Sequence, residues 1–274
     1  MRFSRRLAAI ALAALFVSPL ALYAQFGGFF RNGPRFPKGP PDGKFQFARL
    51  MYDRVRAEQS GSGWTTDYPN ADINFMIRFS ELTKSPVSMG DSEDAVPNHV
   101  VVTMKDDRIF DYPFILASDA GTMGLSPEEI VRLRTYLLKG GFLWVDDSWG
   151  PQALEHFMSQ ISQVLPPDRY PSFEIEPGHA LLRTMMVVEK VPQIPAISFW
   201  RRSGGGTSER GAETAQVVFR GIADEHGRIM VLISHNTDIS DSWEREGEDP
   251  AYFYQFSPNG YAVGINAVLY SMTH

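Results

Sequence analysis

The sequence predicts an α/β domain with a doubly wound, mostly parallel central sheet, and three patterns carry that expectation. Two apolar runs without alternation, Pro113 to Ser118 and Phe142 to Val145, read as central strands covered on both faces. Amphipathic helical stretches follow them, over 126–139 and 151–165. Strand, helix, strand, helix in that rhythm implies parallel strands joined by right-handed crossovers.

The N-terminal stretch reads as an export signal. Arg2, Arg5 and Arg6 precede an apolar run from Leu7 to Leu22, interrupted by Ser18 and Pro19, and Ala24 stands before Gln25 as a small residue at the cut. Residues 1–24 therefore read as a signal peptide, and the mature protein as periplasmic or extracellular. The run is short for a spanning helix, which needs about 20 apolar residues. If uncleaved, it is the expected membrane contact. Loss of the three arginines takes the net charge from −6 to −9. An acidic body without a basic cluster argues against nucleic acid. The absence of cysteine excludes disulfides, thiolate catalysis and cysteine-ligated metals.

Residues 25–44 are rich in Gly, Pro and Phe and read as a linker, sticky enough to dock on the domain or on a protein partner. A single domain is expected over 45–274. Phe45 to Tyr52 alternates in part and predicts a first strand. Asp67 or Asn70 offers a cap for a helix that runs to Thr83 and is apolar around most of its circumference. Val100 to Val102 predicts a short strand. Ser126-Pro127-Glu128-Glu129 is a capping box with proline at the first helical position, and Gly140-Gly141 closes that helix. Residues 166–211, with six prolines and Gly204-Gly205-Gly206, read as an irregular excursion. Gln216 to Ala223 and Arg228 to Ser234 predict two strands around a turn, and Gly260 to Met272 a closing helix.

Polar groups stand where three strands end: Asp119, Asp146-Asp147-Ser148, and His235-Asn236-Thr237-Asp238. Carboxyl ends of neighbouring parallel strands face one crevice, so these groups converge if the last strand runs parallel to the others. A nucleophile reading assigns Ser148 as nucleophile, His235 as base and Asp238 as orienting acid, although Ser148-Trp149-Gly150 is only half of a G-x-S-x-G turn. The paired Asp146 and Asp147 also suit acid–base chemistry or a metal. In purely structural roles, Asp146, Asp147 and Ser148 would cap the helix after Gly150. The acidic run from His235 to Asp249, which includes Asp241, Glu244 and Glu246, suits a hard divalent cation. An EF-hand is excluded because Asp241 stands where its glycine belongs. Otherwise the run is a solvated loop with Trp243 pinned to the core. Trp64, Trp149, Trp200 and Trp243 could stack on a sugar, or pack in the core.

Several blocks resemble a known family: Trp64 to Pro69 with Ala71 to Phe75, Gly140 to Gly150, His235 to Arg245, and Tyr261 to Asn266. They are similar to the bacterial domain of unknown function 4159 over about Phe45 to His274. The resemblance implies a class I glutamine amidotransferase-like fold, a flavodoxin-like three-layer sandwich, but no catalytic residues, since the family has no assigned activity. Asp147 and Ser148 stand at the turn that holds cysteine in amidotransferases, which excludes glutaminase chemistry. The resulting expectation is an exported envelope protein that binds a small polar molecule or glycan at Asp119, Asp146, Asp147, Trp149 and Asp241. The alternatives are a hydrolase at the same crevice, by Ser148-His235-Asp238 or a bound metal, and a non-catalytic assembly component.

Overall fold

The computed structural model describes residues 33–59, 61–90 and 96–274. The signal segment and residues 25–32 of the linker lie outside them. A seven-stranded sheet runs through the centre, built from β1 (Ala48–Met51), β3 (Val100–Thr103), β4 (Phe114–Ser118), β6 (Phe142–Asp146), β7 (Ser172–Glu174), β8 (Val218–Ala223) and β9 (Ile229–His235). Its order is β3-β1-β4-β6-β9-β8-β7. The first five strands are mutually parallel; β8 runs antiparallel to β9, and β7 antiparallel to β8. A two-stranded ribbon of β2 (Asp53–Arg54) and β5 (Met123–Gly124) lies beside it.

Successive strand residues feed opposite faces of the sheet, as the period of two requires. Phe114, Leu116, Phe142 and Trp144 pack with Phe75 and Phe79 of α1 (Asn70–Thr83) and with Val263 and Val268 of α6 (Pro250–Thr273). Ile115, Ala117, Leu143 and Val145 pack with Leu133 and Leu137 of α2 (Pro127–Leu138) and with Phe157 and Ile161 of α3 (Pro151–Val164). Helices therefore cover both faces, which accounts for the unbroken apolar runs of β4 and β6. Among the described residues, no helix is long and apolar enough to cross a membrane.

The strongest local signals survive folding unchanged. Ser126 and Glu129 form the reciprocal capping box, and Gly140 closes the turn after α2 at φ 110°. Other elements differ from expectation. The first strand is confined to Ala48–Met51, since Phe45 makes only an isolated bridge to Val87. α1 has no side-chain cap; Asp67 is turned elsewhere. The excursion contributes β7 and the short helix α4 (Ile197–Ser203), and a single turn, α5 (Asp241–Glu244), follows β9. α6 starts ten residues before Gly260, with Asp249 accepting from the Ala251 and Tyr252 amides and Pro250 at its first position. Pro258 sits inside α6, where Tyr252 and Phe256 on its N-terminal half pack against Trp200. Tertiary burial there outweighs a breaker signal.

The described part of the linker lies on the domain. Arg35 accepts from the Val101 amide on the outer side of edge strand β3, and Pro37 is buried. That contact occupies part of an edge otherwise open to strand pairing.

Candidate functional site

Three adjacent parallel strands end in the same conformation. Asp119 after β4, Asp147 after β6 and Asn236 after β9 have φ of 50°, 53° and 56°, and Asp67, in the turn before α1, has 63°. The left-handed region costs a non-glycine residue about 1 kcal/mol, least for Asn and Asp. Four such residues on one side of a sheet mark held strain of the kind found at functional sites.

Of the two hairpin strands, β9 is the one parallel to β6, so His235 reaches the same edge as Asp146 and Ser148. An isolated bridge from Ser148 to Thr237 and an Asn236 amide donating to the Ser148 carbonyl at 2.8 Å join the two turns. The Asn236 side-chain oxygen accepts from the Gly150 amide at 2.9 Å. Strand polarity, which the sequence leaves open, thus brings the three polar strand ends together.

Above this edge lies a cavity of about 330 Å³. Carboxylates dominate its lining: Glu58, Asp67, Asp119, Asp147, Glu209, Asp238, Asp241 and Glu244, against Arg210 and Arg245. Asp67, Asp147 and Asp238 present oxygens within 4.8 Å of one another. Each has one oxygen engaged. Ser240 Oγ donates to Asp67 Oδ2 at 2.8 Å, Trp149 Nε1 to Asp147 Oδ1 at 3.1 Å, and the Asp241 amide to Asp238 Oδ1 at 2.8 Å. The other oxygen of each receives no hydrogen bond from the described residues.

Asp67 also belongs to a second group with Asp241 and Glu244, again within 4.8 Å. Here a positive charge is already in place. Arg245 Nε lies 2.8 Å from Glu244 Oε2 and 3.6 Å from Asp241 Oδ1, while Asp241 Oδ2 accepts from the Ile197 amide and the Tyr252 hydroxyl. Among the described residues, no arginine or lysine forms a salt bridge with Asp67, Asp147 or Asp238, and the charges of Arg49 and Arg245 act on Asp67 only from a distance.

Burial pushes the acids up, and their mutual repulsion adds to it. Asp147 is raised well above the ordinary carboxylate range by burial, then by Asp67; Asp238 likewise by burial, then by Asp147. Burial lifts Asp119 to about 6, and burial followed by Asp67 lifts Asp241 to about 7 and Glu244 to about 8. A bound cation would reverse this by stabilising the ionised forms.

The individual expectations fare differently. Ser148 lines the cavity, and its Oγ lies 2.9 Å from His235 Nδ1. His235 is buried behind it and lowered to about 4, by burial and then by Arg210, so the imidazole is neutral at pH 7. Asp238 does not orient that ring; its carboxylate is directed to the Ser240 hydroxyl and the Asp241 amide. Asp146 is fully buried and does not reach the cavity. It accepts from Ser234 Oγ at 2.6 Å and from the Ser240 amide and hydroxyl, both at 2.9 Å, which anchors the loop that carries Asp238 and Asp241. Asp119 lines the cavity and accepts from the Gly63 amide at 2.8 Å. Trp149 is 4% exposed, so it orients Asp147 and presents no open stacking face, and Trp243 belongs to the core. No capping role falls to Asp146, Asp147 or Ser148, because Gly150 is the N-cap of α3 and has no side-chain cap. The acidic run encircles no ion by itself: Ile239 to Trp243 is buried, and its cavity-facing acids share the site with Asp67 and Asp147.

Asp67 is the principal residue that sequence reasoning put to another use. An aspartate before Tyr68-Pro69-Asn70 at a helix start is indistinguishable from a cap until the turn is seen. Glu58, Glu209 and Arg210 carried no motif.

The profile of the family described as Domain of unknown function (DUF4159) matches residues 46–272. The chain belongs to the DUF4159 family. The matched span takes in every strand of the sheet and all the cavity carboxylates, so the site described is a site of the DUF4159 domain itself. Comparison with curated proteins returns no match.

Proposed function

We propose that this DUF4159 protein is an exported component of the cell envelope that takes a small polar ligand, a neutral or amino-bearing glycan, into the acidic cavity. In this reading a hard divalent cation such as calcium is held by Asp67, Asp147 and Asp238. The observation that carries it is the convergence of three carboxylates, each with an oxygen that no described residue donates to, and none held in a salt bridge among the described residues. Oxygen ligands of this kind suit calcium or magnesium, with water or sugar hydroxyls completing the shell. Eight carboxylates against two arginines disfavour an anionic ligand and favour hydroxyls or an ammonium group. The export assignment rests on the positively charged and apolar N-terminal segment.

The amidotransferase-like, flavodoxin-like reading of the fold belongs to the same proposal. Counted along the chain, the five parallel strands stand in the order 2-1-3-4-5 of flavodoxin-like sheets, and the cavity lies outside their carboxyl ends.

The test is thermal unfolding with calcium, magnesium or zinc at millimolar concentration, with chelator reversal. Stabilisation by calcium or magnesium that Asp67→Asn abolishes is the expected result, and no shift with any of the three rejects the cation. Chelator-sensitive binding of neutral or amino sugars then tests the ligand.

A second reading is favoured by the Ser148–His235 contact: a hydrolase with Ser148 as nucleophile and His235 as base. The surrounding acids oppose the oxyanion that such a reaction develops, and His235 is a weak base. Covalent labelling of Ser148 by an organophosphonate, absent in His235→Ala, is the outcome that would favour it over simple binding.

A further inference from the structure

Arg49 is fully buried in the middle of β1, where a sheet residue is normally apolar. Its guanidinium holds three separate pieces of the molecule. Nε donates to both Asp72 oxygens at 3.0 and 3.1 Å, and Nη2 to Asp72 Oδ1 at 2.5 Å, which ties it to the first turn of α1. Nη1 donates to the Thr66 carbonyl at 2.8 Å, with the Trp64 carbonyl at 3.4 Å, and to Ser118 Oγ at 2.7 Å. Thr66 immediately precedes Asp67, and Ser118 immediately precedes Asp119.

Burying an ion pair is a poor route to stability, since a packed apolar pair in its place is often neutral or better. The fork geometry of arginine, by contrast, fixes backbone carbonyls in direction as well as distance. Here those carbonyls belong to the turn that places Asp67 in the left-handed region at φ 63°. The Arg49 charge also opposes the rise that burial imposes on Asp67.

We infer that Arg49 is a positioning residue for the cation site: through the Trp64 and Thr66 carbonyls it holds Asp67 where both carboxylate groups share it. The inference rests on the cation reading above. Arg49 touches no cation itself, and the cavity lining does not include it.

Terbium(III), a luminescent stand-in for calcium that nearby tryptophans sensitise, supplies a readout beyond folding. Its affinity reports the site, and its luminescence lifetime reports the number of coordinated waters. The double variant Arg49→Met/Asp72→Leu removes the ion pair without leaving a lone buried charge. While still giving a cooperative melt, it should bind terbium at least tenfold more weakly and with a shorter lifetime, as water replaces the Asp67 oxygen. Arg49→Lys retains the charge beside Asp72 but gives up the fork, and should fall between the two; it decides the matter if the double variant does not fold. Wild-type affinity and lifetime in the folded double variant, or in Arg49→Lys should that be the variant that folds, would overturn the positioning role while leaving the cation site standing. A wild-type protein that binds no terbium overturns the cation reading, and the inference with it.

Discussion

Asp67 and Asp238 bring carboxylate oxygens within 4.8 Å of each other although they lie far apart in the chain, one before α1 and the other after β9. Ser240 Oγ, 2.8 Å from Asp67 Oδ2 and 3.4 Å from Asp238 Oδ1, stands between them. Asp146 Oδ2 lies 2.9 Å from the same hydroxyl, which with a single hydrogen can donate fully to only one of the three.

Removing charge from this group should stabilise the cation-free protein. Asp147 lies in the left-handed region, and burial and then Asp67 raise it well above the ordinary carboxylate range, so its ionised form is costly in the folded protein. Asp147→Asn should stabilise the cation-free protein by about 1 kcal/mol, a rise in melting temperature of roughly 2–4 °C for a domain of this size. The same variant should lose most of the stabilisation by calcium. A melting temperature below wild type without cation would contradict the repulsion argument.

Stability should fall as pH rises from about 6.5 to 8 without divalent cation. Asp241 and Glu244 have folded values near 7 and 8, and Asp147 and Asp238 lie well above the ordinary range, so across this window the folded state binds more protons than the unfolded chain. The sign of the linkage then makes stability decrease with pH. His235, lowered to about 4, acts oppositely, but only between about 4 and its unfolded value of 6.5. Denaturant midpoints at pH 6.5 and 8, with and without calcium, check this: the decline should flatten when the cation is present.

Ser148→Ala should destabilise the fold by about 1–3 kcal/mol, because it leaves the buried His235 Nδ1 without a partner. Calcium affinity should change little, since Ser148 is not among the three converging carboxylates. Urea unfolding and a calcium titration on the same variant separate the two effects.

The packing of α6 against the acidic loop depends on a missing side chain. A Cβ at Gly264 would come within 2.5 Å of Trp243 Cζ2 and 2.7 Å of Phe75 Cε2. Gly264→Ala should cost about 1–3 kcal/mol by overpacking, despite the better helix propensity of alanine. A melting temperature equal to or above wild type would show that Trp243 shifts freely.

Much of the fold was legible because its signals are local. The capping box at Ser126, the glycines after α2 and the apolar runs of β4 and β6 each depend on neighbours a few residues away, and each stands in the structure. The membership in a family with no assigned activity was also readable, from blocks that now fall within residues 46–272. Where burial between distant segments decides, the sequence misled: α6 extends through Pro258 because Tyr252 and Phe256 pack on Trp200, and Asp67 serves the cavity in place of a helix cap.

The site shows the same division. By itself the sequence determined which strand ends carry polar groups, since alternation and turn residues set where a strand stops. Only the tertiary structure decided that β9 runs parallel to β6, that Asp146 turns inward while Asp147 faces the cavity, and that Asp67 completes the group. Strand polarity and side-chain direction follow from contacts between segments far apart in the chain, which a local pattern does not encode.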